Sequence, residues 1–62
     1  MTKWVEWSEP WGSTGFEVVS RMRWKDVATV QRLREPRYES DEQAVDDFLV
    51  VHWARIVELP DA

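Results

Sequence analysis

The sequence has no cysteine, only two glycines, three prolines and one histidine, and its longest unbroken apolar run is Phe48-Leu49-Val50-Val51. Each shortage excludes something. Without cysteine there is no disulfide framework, and the expected compartment is a reducing cytoplasm. The apolar run falls far short of the ~20 residues of a membrane helix, so no membrane association is expected. The opening segment, Met1-Thr2-Lys3-Trp4-Val5-Glu6-Trp7, lacks the apolar stretch of a secretory signal, and Glu6 and Glu9 are foreign to a transit peptide. Two glycines rule out a collagen-like repeat.

The same shortages bear on chemistry. Nucleophilic catalysis needs a nucleophile, a base and an orienting group, whereas serine occurs only at positions 8, 13, 20 and 40, and His52 is the single imidazole. His52 sits in an apolar helical stripe and reads as a core histidine bonded to backbone or to Gln31. A metal centre needs three or four ligands, which one histidine among carboxylates on other helix faces does not supply. Asp46 and Asp47 are adjacent and project ~100° apart on a helix, so they form a solvated face and not a carboxylate pair. Gly12-Ser13-Thr14-Gly15 lacks the lysine and spacing of a phosphate loop. The expectation is a protein that is not an enzyme and carries no metal or cofactor.

What is present is tryptophan: five in 62 residues, with 44% apolar and 32% charged residues and a net charge of −4. That composition excludes a disordered tail. A chain this short buries only roughly 60% of its unfolded surface, so it needs a rich core or a partner. Because each tryptophan buries on the order of 200 Å², Trp4, Trp7, Trp11, Trp24 and Trp53 are the expected substitute for disulfides or metal. The chain makes one small domain, residues 1–62.

Lys3 to Trp7 reads as a short strand, and Glu9 to Gly15 as a loop dense in turn residues. Phe16 to Trp24 alternates, with Phe16, Val18, Ser20, Met22 and Trp24 on one face and Glu17, Val19, Arg21 and Arg23 on the other. Val27 to Arg34 fits either a helix stopped by Pro36 or a strand. The strand is preferred, because a Lys25-Asp26 turn would set Ser20 opposite Gln31 and Glu17 opposite Arg34. Ser40-Asp41-Glu42-Gln43 is a capping box. It opens a helix of about 16 to 20 residues carrying Val45, Phe48, Leu49, His52, Ile56 and Leu59 at helical spacing, unless Arg55 to Leu59 turn into a short strand. The predicted fold is α+β: a three-stranded antiparallel meander with one C-terminal helix packed on a face.

Charge is segregated. Residues 21–37 carry a local +4 and residues 39–47 a local −5. On the expected meander, Arg21, Arg23, Arg32 and Arg34 line the outer sheet face, a candidate surface for nucleic-acid phosphate. The net negative charge weighs against that use. Val50, Trp53 and Val57 form a second apolar line on the helix, and Trp11 stands in its loop as a lid or a hot spot. With Asp46 and Asp47 at the acidic helix start, these residues are the candidate contacts for a protein partner or a homodimer.

Strands followed by a capped helix beginning Tyr38-Glu-Ser-Asp-Glu-Gln-Ala-Val-Asp-Asp-Phe-Leu loosely resemble the arm-type DNA-binding domain of tyrosine integrases. There an aromatic-x-Ser/Thr-x-x-Glu/Gln-Ala segment opens the helix. The resemblance spans residues 16–50, and the chain departs from it in its acidic balance and in lacking a catalytic domain. The compact, acidic, tryptophan-rich style is similar to small accessory proteins of phages and other mobile elements, which implies action by occupying a host protein's surface. The expected function is therefore a non-enzymatic protein-binding module, an inhibitor or modulator. A small nucleic-acid-binding domain and a virion structural subunit are the alternatives.

Overall fold

In the computed structural model, which describes residues 1–61, the elements run β1 (Thr2–Pro10), β2 (Glu17–Arg23), α1 (Trp24–Arg34), α2 (Asp41–His52) and β3 (Arg55–Leu59). The α+β class stands, but the arrangement is not a meander. The antiparallel sheet has the order β2-β1-β3, and both helices are inserted between its second and third strands in sequence. β1 is the central strand. It pairs with β2 from Trp4↔Arg23 to Pro10↔Glu17, and with β3 from Thr2↔Leu59 to Glu6↔Arg55.

Residues 24–34 form a helix, not the strand expected of 27–34. β2 pairs with β1 along its whole length and stays an edge strand, its outer side unpaired. Lys-Asp disfavours the tight turn that the expected hairpin required. Thr29, the β-branched residue least at home in a helix, bonds its hydroxyl back to the Lys25 carbonyl at 3.0 Å. The cross-strand pairs Ser20–Gln31 and Glu17–Arg34 therefore do not form. Gln31 instead donates to the Ala44 carbonyl on α2 at 3.2 Å.

The capping box forms. Ser40 Oγ accepts from the Gln43 N–H at 3.2 Å, and Gln43 Oε1 accepts from the Glu39 N–H at 2.6 Å. The helix it opens has 12 residues and is not C-terminal. Trp53 leaves it in the left-handed conformation (φ 52°, ψ 39°), and the Ala54 N–H reaches back to the Leu49 carbonyl at 2.9 Å. This is the Schellman ending, with Leu49 and Ala54 supplying its apolar contact on the core. Ile56 and Leu59, which continued the helical spacing in sequence, lie on β3.

The core is aliphatic and small. Among the described residues, the buried side chains are Val5, Val27, Ala28, Ala44 and Val45. No tryptophan joins them, contrary to the expectation that the five would supply the core. Trp7 and Trp24 pack at its edge with Met22, Phe48 and Leu49. The reason is topological: a slab 15 Å thick has one apolar layer, and its centre is filled by valine and alanine. Large rings are left to the margins.

Candidate functional site

Strand register assigns each side chain to a face. Lys3, Val5, Trp7 and Glu9 of β1 share the helix-covered face with Met22, Ser20 and Val18 of β2 and with Ile56 of β3. The helical layer covers only part of it. Phe48 of α2 meets the Trp7 ring edge-on at 5.1 Å, and His52 stacks on Phe48 at 4.0 Å with its ring 6.2 Å from Trp7. His52 Nδ1–H donates to the Phe48 carbonyl at 3.2 Å, the hydrogen on Nδ1 following from the carbonyl's being an acceptor only. The imidazole is thus an aromatic brace at the layer's end, bonded to backbone and not to Gln31.

Beyond Trp7 the helices stop and the sheet continues. Every residue from Ser8 to Val19 is exposed. This hairpin arm carries two bare rows on the helix side, Glu9↔Val18 and, beyond Pro10↔Glu17, Trp11 opposite Phe16. The last pair is closed by a Trp11 N–H to Phe16 carbonyl bond of 2.9 Å. Thr14 donates to the Trp11 carbonyl at 2.6 Å and accepts from the Phe16 N–H at 3.2 Å. Gly12 and Gly15 supply the positive φ angles (57° and 83°) the loop needs. The arm forms an apolar shelf of Val18, Trp11 and Phe16, exposed by 43%, 64% and 73%. At its inner end Glu9 is fixed by the Trp7 indole N–H at 3.0 Å.

Trp53 follows His52 at the step where the helical layer ends. It is 94% exposed. The helix terminus there is a position that normally takes glycine, and an L-residue pays roughly 1 kcal/mol or more to hold it. Val50 and Val51, also exposed, precede it on the last turn of α2.

The remaining expected site residues separate. Val57 lies on β3 beside Trp4 on the opposite, open sheet face, so no Val50/Trp53/Val57 ridge exists. Asp46 and Asp47 lie on the exposed side of α2, where the Asp47 carboxylate beside Tyr38 pushes the phenol pKa up. Nor do the four arginines share a face. Arg21 and Arg23 are on β2, whereas Arg32 and Arg34 are on α1, with Arg32 bound to Asp41 at 2.8 Å.

On the open sheet face, Arg23 lies over the Trp4 ring at 5.5 Å. Glu6 stands between Arg55 of β3 (2.6 Å) and Arg21 of β2 (2.8 Å). Sequence reasoning missed this cluster, because Glu6 and Arg55 are 49 residues apart and meet only through the β1–β3 pairing. Hydrogen bonds from Arg55 and then Arg21 hold the Glu6 carboxyl below its ordinary pKa of 4.5. A depressed folded pKa contributes stability above the unfolded value and loses it as pH falls through the folded one. Thermal melts should therefore drop as pH is lowered below about 4.5. Glu6→Gln should flatten that slope without removing it, since Glu35 and Asp61 are shifted the same way. An unchanged slope would show that the cluster does not hold in solution.

Fold and site together define a two-layer α+β protein whose helical layer leaves one end of its sheet bare. Compared with protein-family models, curated proteins and solved structures, the chain has no match. Among the described residues no helix is long and apolar enough to cross a membrane.

Proposed function

We propose that this chain is a non-enzymatic protein-binding module acting through the step formed by the hairpin arm and the end of α2. The observation that carries the reading is Trp53: the largest side-chain type, 94% exposed, held in a backbone conformation that disfavours it. Folding stability alone selects glycine there, so retention of an exposed indole points to a contact made outside the monomer. Buried aromatic anchors of this kind dominate protein interfaces. A modulator that occupies another protein's surface, in the manner of small phage accessory proteins, is the form of function this arrangement suits.

The nucleic-acid alternative draws less support. Arg21 and Arg55 are engaged by Glu6, and Arg32 by Asp41.

Affinity capture from the native host, run in parallel with wild type and Trp53→Gly, tests the reading. A protein retained by wild type and lost with the variant is the expected result. Identical retention by both would overturn Trp53 as the anchor.

A further inference from the structure

The ladder between β1 and β2 fixes which main-chain groups of β2 are without a partner. In an antiparallel pair, bonded and non-bonded residue pairs alternate. The Trp11 N–H bonds the Phe16 carbonyl, so along the register Glu9↔Val18, Trp7↔Ser20 and Val5↔Met22 are the bonded pairs. Glu17, Val19, Arg21 and Arg23 therefore turn their N–H groups to the outer side. β2 ends the sheet, and among the described residues no strand pairs with that side. Val18 and Val19, one on each face, are exposed, so the edge is open from both faces.

The two edges of the sheet are built differently. Continued across β1, the same alternation leaves only Ile56 and Glu58 of β3 facing outward, in a strand of five residues followed by Pro60. Short length, a charge and a nearby proline are ordinary protections of an edge. β2 has seven residues, no proline and no break in its register. Its two cations do not screen the edge either. Glu6 draws the Arg21 guanidinium back toward β1, and the Arg23 guanidinium lies over the Trp4 ring of β1. An edge of this length left unguarded is a template for another strand.

We infer that the strand it takes is β2 of a second copy, antiparallel about a two-fold axis at Ser20, which joins two three-stranded sheets into one continuous sheet. Ser20 is the midpoint of Glu17–Arg23, so pairing over the full length sets Glu17 opposite Arg23, Val19 opposite Arg21 and Val18 opposite Met22 of the other chain. Outward-facing residues then meet outward-facing residues, and the free N–H groups find carbonyls. The charges of this row also fit. Glu17 faces Arg23 at both ends, and Arg21, next to the axis, is already paired with Glu6 of its own chain. On the helix-covered face, Val18, Ser20 and Met22 bring no charge. Sliding the pair by two residues one way sets Arg21 on Arg21 of the other copy, which opposed like charges disfavour. Sliding it the other way leaves Arg23 opposite Gly15, outside the strand. The contact is isologous, as a closed pair requires. It goes beyond the partner contact proposed above: Trp53 leads into β3 at the opposite edge of the sheet and stays free in each copy.

A charge swap tests the register. At millimolar concentration, wild type should sediment at about twice the chain mass of 7.4 kDa. Glu17→Arg sets arginine against Arg23 at both ends, and Arg23→Glu sets glutamate against Glu17. Each variant alone should self-associate roughly 10-fold more weakly. Mixed in equal amounts they should pair with wild-type affinity, because every end of the mixed dimer then joins one arginine to one glutamate. In wild type, the Val19 and Arg21 amides should exchange slowly at high concentration and fast on dilution. Isotope-filtered NMR on mixed labelled and unlabelled chains should connect Val18 to Met22 across the axis.

A monomeric wild type at millimolar concentration overturns the dimer, while Trp53-dependent capture of another protein by that monomer would leave the protein-binding reading standing. Variants that associate as wild type does, or that fail to restore each other, overturn the pairing of β2 with β2.

Discussion

Val5→Asp should leave no folded protein. Val5 is fully buried at the centre of the central strand, in one cluster with Val27, Ala28 and Val45. Among the described residues no polar or charged side chain is buried, so an introduced carboxylate finds no cation or donor placed to receive it. An unpaired buried charge costs several kcal/mol even after relaxation. A domain of this size holds only about 3–5 kcal/mol in total. The cost therefore meets or exceeds the whole stability, and far-UV circular dichroism and amide dispersion should both collapse. Val5→Thr is the graded control: nearly the same shape with one hydroxyl added, it should cost about 1–3 kcal/mol and remain folded at low temperature. A cooperatively folded Asp variant would mean that the sheet does not carry Val5 inward.

How much of this arrangement was legible depends on how local its causes are. β1 and β2 alternate cleanly, and the Ser40–Gln43 box sits within one turn, so these were readable in the sequence. The choice between helix and strand for residues 27–34 was not. Val27, Thr29 and Val30 suit a strand, while Val27, Val30 and Leu33 are spaced for a helix. Nothing local decides between them: the chain leaves β2 at Arg23 and the outer edge of β2 stays unpaired. Val30 and Leu33, the residues that gave the helical spacing, turn out to be exposed, and the buried pair is Val27 and Ala28. β3 was legible only as the alternative that Arg55 to Leu59 turn into a short strand. Ile56 and Leu59 keep helical spacing from His52 by coincidence, and the break between them is made by a left-handed tryptophan, whereas the sequence signal for such a break is glycine.

The candidate site shows the same division. Trp11 and Trp53 could be singled out from composition, but the step between them follows from a difference in length. β1 is nine residues and β3 five, so the sheet outruns its third strand. The helical layer ends with His52 over Trp7. No local pattern announces an uncovered row. Phe16 and Val18 accordingly share the face that the alternation assigns to Met22, but lie beyond the part of it that is covered.

Trp53→Gly should make the isolated monomer more stable, not less. Truncating an exposed aromatic is usually neutral, and removing a buried one is costly. Here the indole is 94% exposed, so almost no burial is lost. The left-handed backbone at φ 52° becomes one that glycine adopts freely, while the Schellman bond from Ala54 to Leu49 involves only backbone and persists. Relief of the strain, partly offset by glycine's greater freedom in the unfolded chain, should leave a gain of about 1 kcal/mol. For a domain of this size that is a rise in melting temperature of roughly 4–8 °C. The measurement belongs at high dilution, where association contributes nothing. As the concentration of a partner that Trp53 anchors increases, wild type should gain stability by mass action and overtake the variant, whose melting temperature stays flat. Crossing curves would show one residue opposing the fold of the monomer and supporting its association. A variant less stable at every concentration would instead assign Trp53 an ordinary packing role.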